Sequence, residues 1–174
     1  MNIRHAIHPG LTTWDRVLTA VGAPSRSILV RLEAGASLGD AIRAAFHGLN
    51  LSTGSFRLFG ALLARAAYHL ASPRDGSARV IEYGAAKVLA SGALIVEASG
   101  SFGLSMDGET LVHVHGALAD ARGRAYGGHL NVDRCIIGPE TATMLITAGA
   151  GFRQAVDAET GFATFVPWVD TAND

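Results

Sequence analysis

One segment, LVHVHGALADARGRAYGGHL at residues 111–130, restricts the fold more than any other part of the chain. From Leu111 to Leu118 the side chains alternate. Val112, Val114 and Leu118 fall on one side, and Leu111, His113, His115 and Ala117 on the other. A period of two is the signature of a half-buried strand. Asp120-Ala121-Arg122-Gly123 then reads as a turn, because a three-residue loop ending in a left-handed glycine is a common hairpin connection. If Ala121, Arg122 and Gly123 form that loop, Asp120 pairs with Arg124, His115 lies opposite His129, and Ala117 lies opposite Gly127. Directly opposed residues share a face, so all three imidazoles project from one side of one hairpin. A two-residue loop would move the pairing by one place and turn His129 to the other face. The arrangement therefore depends on Gly123.

Three neutral imidazoles suit a divalent transition metal, zinc first. Three protein ligands leave a fourth position for water or a ligand, whereas a structural zinc is normally closed by four. His113, His115 and His129 are thus the expected metal ligands, and Ala117, Ala119, Ala125 and Gly127 are small enough to leave room beside them. The plainer reading is a set of ordinary exposed strand histidines. The matching hairpin position of His129 argues for the metal.

Composition limits the alternatives. The chain has 174 residues, 49% hydrophobic and 17% charged, with a net charge of -1. That fits one folded domain with a real core. It lacks the basic excess of a nucleic-acid binder. Cys135 is the single cysteine, so no intrachain disulfide can form, and a reducing cytoplasm is expected. Cys135 follows His129 by six residues, but in the run Cys135-Ile136-Ile137 it reads as a small buried residue. No apolar run is long enough to span a membrane.

Elsewhere, Thr13–Val21 reads as a short helix and Ser27–Leu32 as a strand. Ser37-Leu38-Gly39-Asp40 resembles a capping box with Asp in place of Glu. The apolar stripe Leu38, Ala41, Ile42, Ala45, Phe46, Leu49 makes the helix that follows the most secure in the chain. His47 is expected near its C-terminus, facing water. Ser55–Leu70 has an ambiguous period and is taken as a strand, with His69 a stray surface residue. Pro73–Gly76 is a turn, Arg79–Tyr83 alternates, and Ala93–Ala98 is a short strand bounded by glycines. Asp107-Gly108 is a hairpin turn. Thr143–Thr147 and Ala163–Trp168 are further strands. The expected fold class is α+β, a largely antiparallel β-sheet with one main helix packed on it, plus an N-terminal extension. The extension covers residues 1–25 and the domain residues 26–170.

Residues 100–130, GSFGLSMDGETLVHVHGALADARGRAYGGHL, resemble the PPC (plants and prokaryotes conserved) domain. The family pattern is an H-x-H strand, a D-x-x-G turn and then G-G-H-L. It occurs here as His113, His115, Asp120, Gly123, Gly127, Gly128, His129 and Leu130. ILVRLEAGASLGDAIRAAF fits the family's strand, turn and helix. The resemblance implies an α+β fold, a homotrimer and, in bacterial members, zinc held by the residues equivalent to His113, His115 and His129. Plant members carry an AT-hook beside this domain. Here Arg122-Gly123-Arg124 is followed by Ala125 and occupies the hairpin turn, whereas a minor-groove hook needs a free extended segment.

Three functions follow as expectations. The first is a metal-bearing trimeric binding, assembly or regulatory module, with a small anionic ligand at the open position. The second is a zinc-dependent enzyme using a metal-bound water, with Glu97, Asp107, Glu109, Asp120 or Glu140 as proton shuttle. The third is a DNA-associated regulator, for which the chain shows no basic motif. His5 and His8 are expected on a surface arm, with a lid or a fourth metal ligand as the sharper reading.

Overall fold

The computed structural model describes residues 25–73, 81–148, 151–157 and 161–168. The short helix at Thr13–Val21, His5, His8 and most of the turn after Pro73 lie outside the described residues. The elements are β1 (Arg26–Leu32), α1 (Leu38–Gly48), β2 (Gly54–His69), β3 (Ala71–Pro73), β4 (Ile81–Tyr83), β5 (Lys87–Leu89), β6 (Ala93–Leu104), β7 (Thr110–Ala119), β8 (Ala125–Leu130), β9 (Ile136–Ile137), β10 (Ala142–Ala148), β11 (Gly151–Val156) and β12 (Ala163–Trp168). A single turn of 3-10 helix, Val132–Arg134, follows β8.

The sheet runs β1-β10-β2-β8-β7-β6-β11-β12, and β5 and β9 also pair with β2. Every pairing is antiparallel except β11 with β6. Strand β2 pairs with five strands, and two of these pairings frame the site. Gly54–Leu63 pairs with β6, and Tyr68 and His69 pair with β8. Since β6, β7 and β8 follow one another, these four strands close a circuit. That closure brings the far end of β2 to the histidine hairpin.

Helix α1 forms where the apolar stripe predicts it. The Asp40 amide donates to Ser37 Oγ at 3.4 Å, so Ser37 caps the helix, and the Asp40 carboxylate pairs with Arg43 at 2.8 Å. The helix buries Leu38, Ile42 and Phe46 against the inner face of the sheet. Phe46 stacks on Phe102 with centroids 4.1 Å apart and meets Phe56 edge-on at 5.9 Å. Burying one such ring contributes on the order of 2–3 kcal/mol. Phe56, Leu58, Phe102, Val114, Leu118, Leu130, Met144 and Ile146 complete the inner layer.

The α+β expectation holds in the coarser sense that one helix lies on a dominant sheet. One strand boundary and one unexpected strand need correction. The strand expected at Ala93–Ala98 continues to Leu104. Gly100 and Gly103 do not end it: a Cβ at Gly100 would fall 2.4 Å from the Phe56 ring, and one at Gly103 would fall 2.5 Å from the Phe152 carbonyl oxygen. Both glycines admit a close neighbour inside a continuous strand. Strand β11 carries no alternation that would have revealed it. It forms by pairing with β12 in register Gly151↔Trp168 to Val156↔Ala163.

Candidate metal centre

The β7–β8 hairpin has the expected register. His115 pairs with His129, Ala117 with Gly127, and the Asp120 amide donates to the Arg124 carbonyl at 3.0 Å. Gly123 has φ +73, the left-handed value that the loop requires. Asp120 fixes the turn. Its carboxylate accepts from the Arg122 amide at 2.9 Å, the Arg124 amide at 2.9 Å, Arg124 Nε at 2.8 Å and the Tyr126 hydroxyl at 3.0 Å. These donors hold its pKa well below the usual carboxylate range, led by the Arg124 amide. Arg122-Gly123-Arg124 is therefore built into a turn.

Val114 and Leu118 point into the core, which leaves His113 and His115 on the outer face with His129. Ring centroids are 4.9 Å apart for His113 and His115, 4.7 Å for His113 and His129, and 5.3 Å for His115 and His129. One ligand atom from each of the three lies within 4.8 Å of the others. His113 Nε2 and His115 Nε2 are 3.0 Å apart. Two imidazole nitrogens on one tetrahedral zinc stand about 3.3 Å apart, from Zn–N bonds of about 2.0–2.1 Å. His129 Nδ1 is buried without a hydrogen-bond partner, a costly state for a polar atom that a cation would relieve. The donor set thus fits a borderline-soft divalent metal.

Burial also suppresses protonation here. Desolvation lowers the pKa of His113, with the charge of His115 adding to it. Desolvation pushes His129 down to about 4, helped by His113, His115 and His69. Neutral imidazole is the metal-binding form.

His69 corrects the sequence reading. It is not a stray surface residue: it pairs with His129 across β2 and β8, with ring centroids 6.2 Å apart. Its Nδ1 lies 2.8 Å from the Gly84 carbonyl, and its Nε2 lies 3.3 Å from Asn131 Nδ2. Two further rings flank the trio: Tyr83 with its centroid 4.8 Å from that of His129, and Phe165 at 6.5 Å from that of His113. Nothing in the sequence told which strand His69 would meet.

The carboxylates considered as proton shuttles do not converge on the trio. Asp120 is consumed by the turn. Asp107 and Glu109 are exposed at the β6–β7 turn, where Ser105 Oγ accepts from both their amides, and Gly108 has φ +83 as a hairpin turn needs. Glu140 is exposed. Glu97 shares a hollow of about 400 Å³ with one of the histidines, His115, and with Ala117, Tyr126 and Gly127, but its carboxylate is paired with Arg57. His47 is exposed at the end of α1, as expected. Cys135 is buried, hydrogen-bonded to the backbone of Ala67, and burial pushes its thiol pKa up.

The model of the Plants and Prokaryotes Conserved (PCC) domain matches residues 19–145. The chain belongs to the PCC family. No curated protein matches the chain. Among solved structures, this PCC domain is similar to a plant- and prokaryote-conserved (PPC) protein from Pyrococcus horikoshii, at 20% identity and a TM-score of 0.67 over 86% of this chain and 96% of that one. It is similar to a metal-containing protein from Archaeoglobus fulgidus, at 21% identity and a TM-score of 0.65 over 87% and 99%. A candidate DNA-binding protein from Ralstonia eutropha matches at 17% identity and a TM-score of 0.62 over 79% and 88%. These likenesses establish the PCC fold. Among the described residues no helix is long and apolar enough to cross a membrane.

Proposed function

We propose that this PCC domain is a zinc-binding module that works as a homotrimer, with His113, His115 and His129 as the metal ligands and assembly or regulation as its role. The observation that carries the reading is the convergence of one nitrogen from each of three imidazoles within 4.8 Å, with a buried, partnerless nitrogen on His129. The metal-containing relative from Archaeoglobus fulgidus supports it. Bound zinc would supply Lewis acidity and a position for a small anion. The protein's own groups orient the imidazoles, through the Asp120-locked turn on one side and the packing of Tyr83 and Phe165 on the other.

The outer face of the sheet supports self-association. Leu29 is 68% and Val96 54% exposed, and Phe59, Leu62 and Leu94 are also exposed. A face this apolar is a surface for a partner, and a second and third copy fit the family. The domain itself is taken as residues 26–170, with residues 1–25 an extension. Its single buried thiol suits a reducing compartment such as the cytoplasm. Among the described residues no carboxylate lies free beside the trio to serve as a proton shuttle, which weighs against the enzyme reading. The turn-bound arginines weigh against DNA recognition.

Metal analysis of purified protein tests the site. Wild type is expected to hold close to one equivalent of zinc per chain. His113→Ala and His129→Ala are expected to fold and to lose it. Full metal occupancy in both variants would sink the proposal.

A further inference from the structure

The strand pairings extend the site away from the histidines. His113 lies opposite Ser101, Ser101 opposite Ser55, and Ser55 opposite Thr147. One row along, His115 lies opposite Ser99, Ser99 opposite Arg57, and Arg57 opposite Leu145. Opposed residues share a face. Two imidazoles, four hydroxyls and a guanidinium thus form adjacent rows across β7, β6, β2 and β10. They line one hollow of about 480 Å³, the size of a small-molecule site.

The chemistry of this hollow is one-sided. No carboxylate is among its lining residues. Glu97 engages one nitrogen of Arg57, but a guanidinium carries five N–H donors in a fork that matches a carboxylate. Serine and threonine hydroxyls both donate and accept, so they complement a ligand that bears hydroxyls of its own. Around the rows the same face carries Leu29, Phe59 and Val96, all large and apolar. Short polar side chains among them cut a wet depression into a surface otherwise suited to be covered. Neighbouring strands lie about 4.8 Å apart. The two steps from β7 to β2 therefore span about 10 Å, which long side chains shorten to the length of a four-carbon acid.

We infer that this hollow binds a small hydroxy-dicarboxylate, with one carboxylate directed to the metal held by the histidines, the other to Arg57, and the hydroxyl between them on Ser55, Ser99 and Ser101. This rests on the reading of the imidazole trio as a metal site. It assigns the open coordination position a ligand class, and it gives Arg57 and the serine rows a role in selecting it.

Cobalt(II) in place of zinc gives a visible spectrum that reports its ligands. The cobalt-loaded protein is titrated with malate and with succinate, which differ by one hydroxyl, and gel filtration verifies that the metal stays bound. Malate is expected to bind about tenfold more tightly, the effect of roughly one well-made hydrogen bond. The double variant Ser55→Ala/Ser101→Ala is expected to erase that preference while still responding to both acids. Arg57→Gln is expected to weaken both acids about tenfold. Equal affinities in the wild type, or an unchanged pattern in both variants, would overturn the inference. Cobalt uptake with no spectral response to either acid overturns the hollow alone, whereas no uptake by the wild type overturns the metal reading beneath it.

Discussion

Gly128 has φ +145, and a Cβ there would fall 2.3 Å from the His69 carbonyl oxygen. The glycine lets β8 approach β2 closely, and that approach sets His129 beside His69. Gly123 has φ +73 with open space around its Cβ position, so it needs glycine for its backbone angle alone. Gly123→Ala should therefore cost about 1 kcal/mol of strain. Gly128→Ala adds a collision with backbone and should cost about 3 kcal/mol or more. Chemical denaturation of both variants checks the order; equal losses would contradict the close-approach argument. The folded-state pKa of His129, about 4, lies below the unfolded value near 6.5. The unfolded chain takes the proton first as pH falls, so the stability contributed by neutral His129 is complete above about pH 6.5 and is lost on the way down to about pH 4. Denaturation of metal-free protein between pH 7.5 and 4.5 should follow that slope, and His129→Gln should flatten it.

The β7–β8 hairpin was the most legible element in the sequence. Its alternation and Gly123 were enough to place His115 opposite His129. Asp120 adds what a pattern cannot: four donors converge on one carboxylate. Its folded-state pKa is depressed, so the stabilisation is present above the ordinary carboxylate pKa near 4 and fades as pH falls further. Asp120→Asn should melt earlier than wild type at pH 7, with a gap that narrows below about pH 4. A thermal melt series across that range is the check, and a constant gap would mean the charge is not what holds the turn. Two other elements were less legible for opposite reasons. The length of β6 is hidden because glycine ordinarily ends a strand, whereas Gly100 and Gly103 make room for Phe56 and Phe152. β11 has no local signature because its support comes from β12 and β6, which no local pattern announces.

For the molecule as a whole, the outer sheet face is the point of leverage. Leu29 and Val96 stand exposed on a face that also carries the histidines. Light scattering is expected to give a trimer mass for the wild type and a smaller species for Leu29→Glu/Val96→Asp; a monomeric wild type would remove the trimer from the reading. The sequence by itself determined the helix at Leu38–Gly48, the hairpin and its three imidazoles, and the burial of Cys135, because each follows from spacing along one short segment. Only the tertiary structure decided what surrounds them. The closure of β2 onto both β6 and β8 brought His69 to His129, and the order β7-β6-β2-β10 aligned Ser101, Ser55 and Thr147 with His113. A strand's own side chains fix which residues share its face. Which strand lies next to it is settled by burial of the whole apolar layer, a quantity no single segment contains.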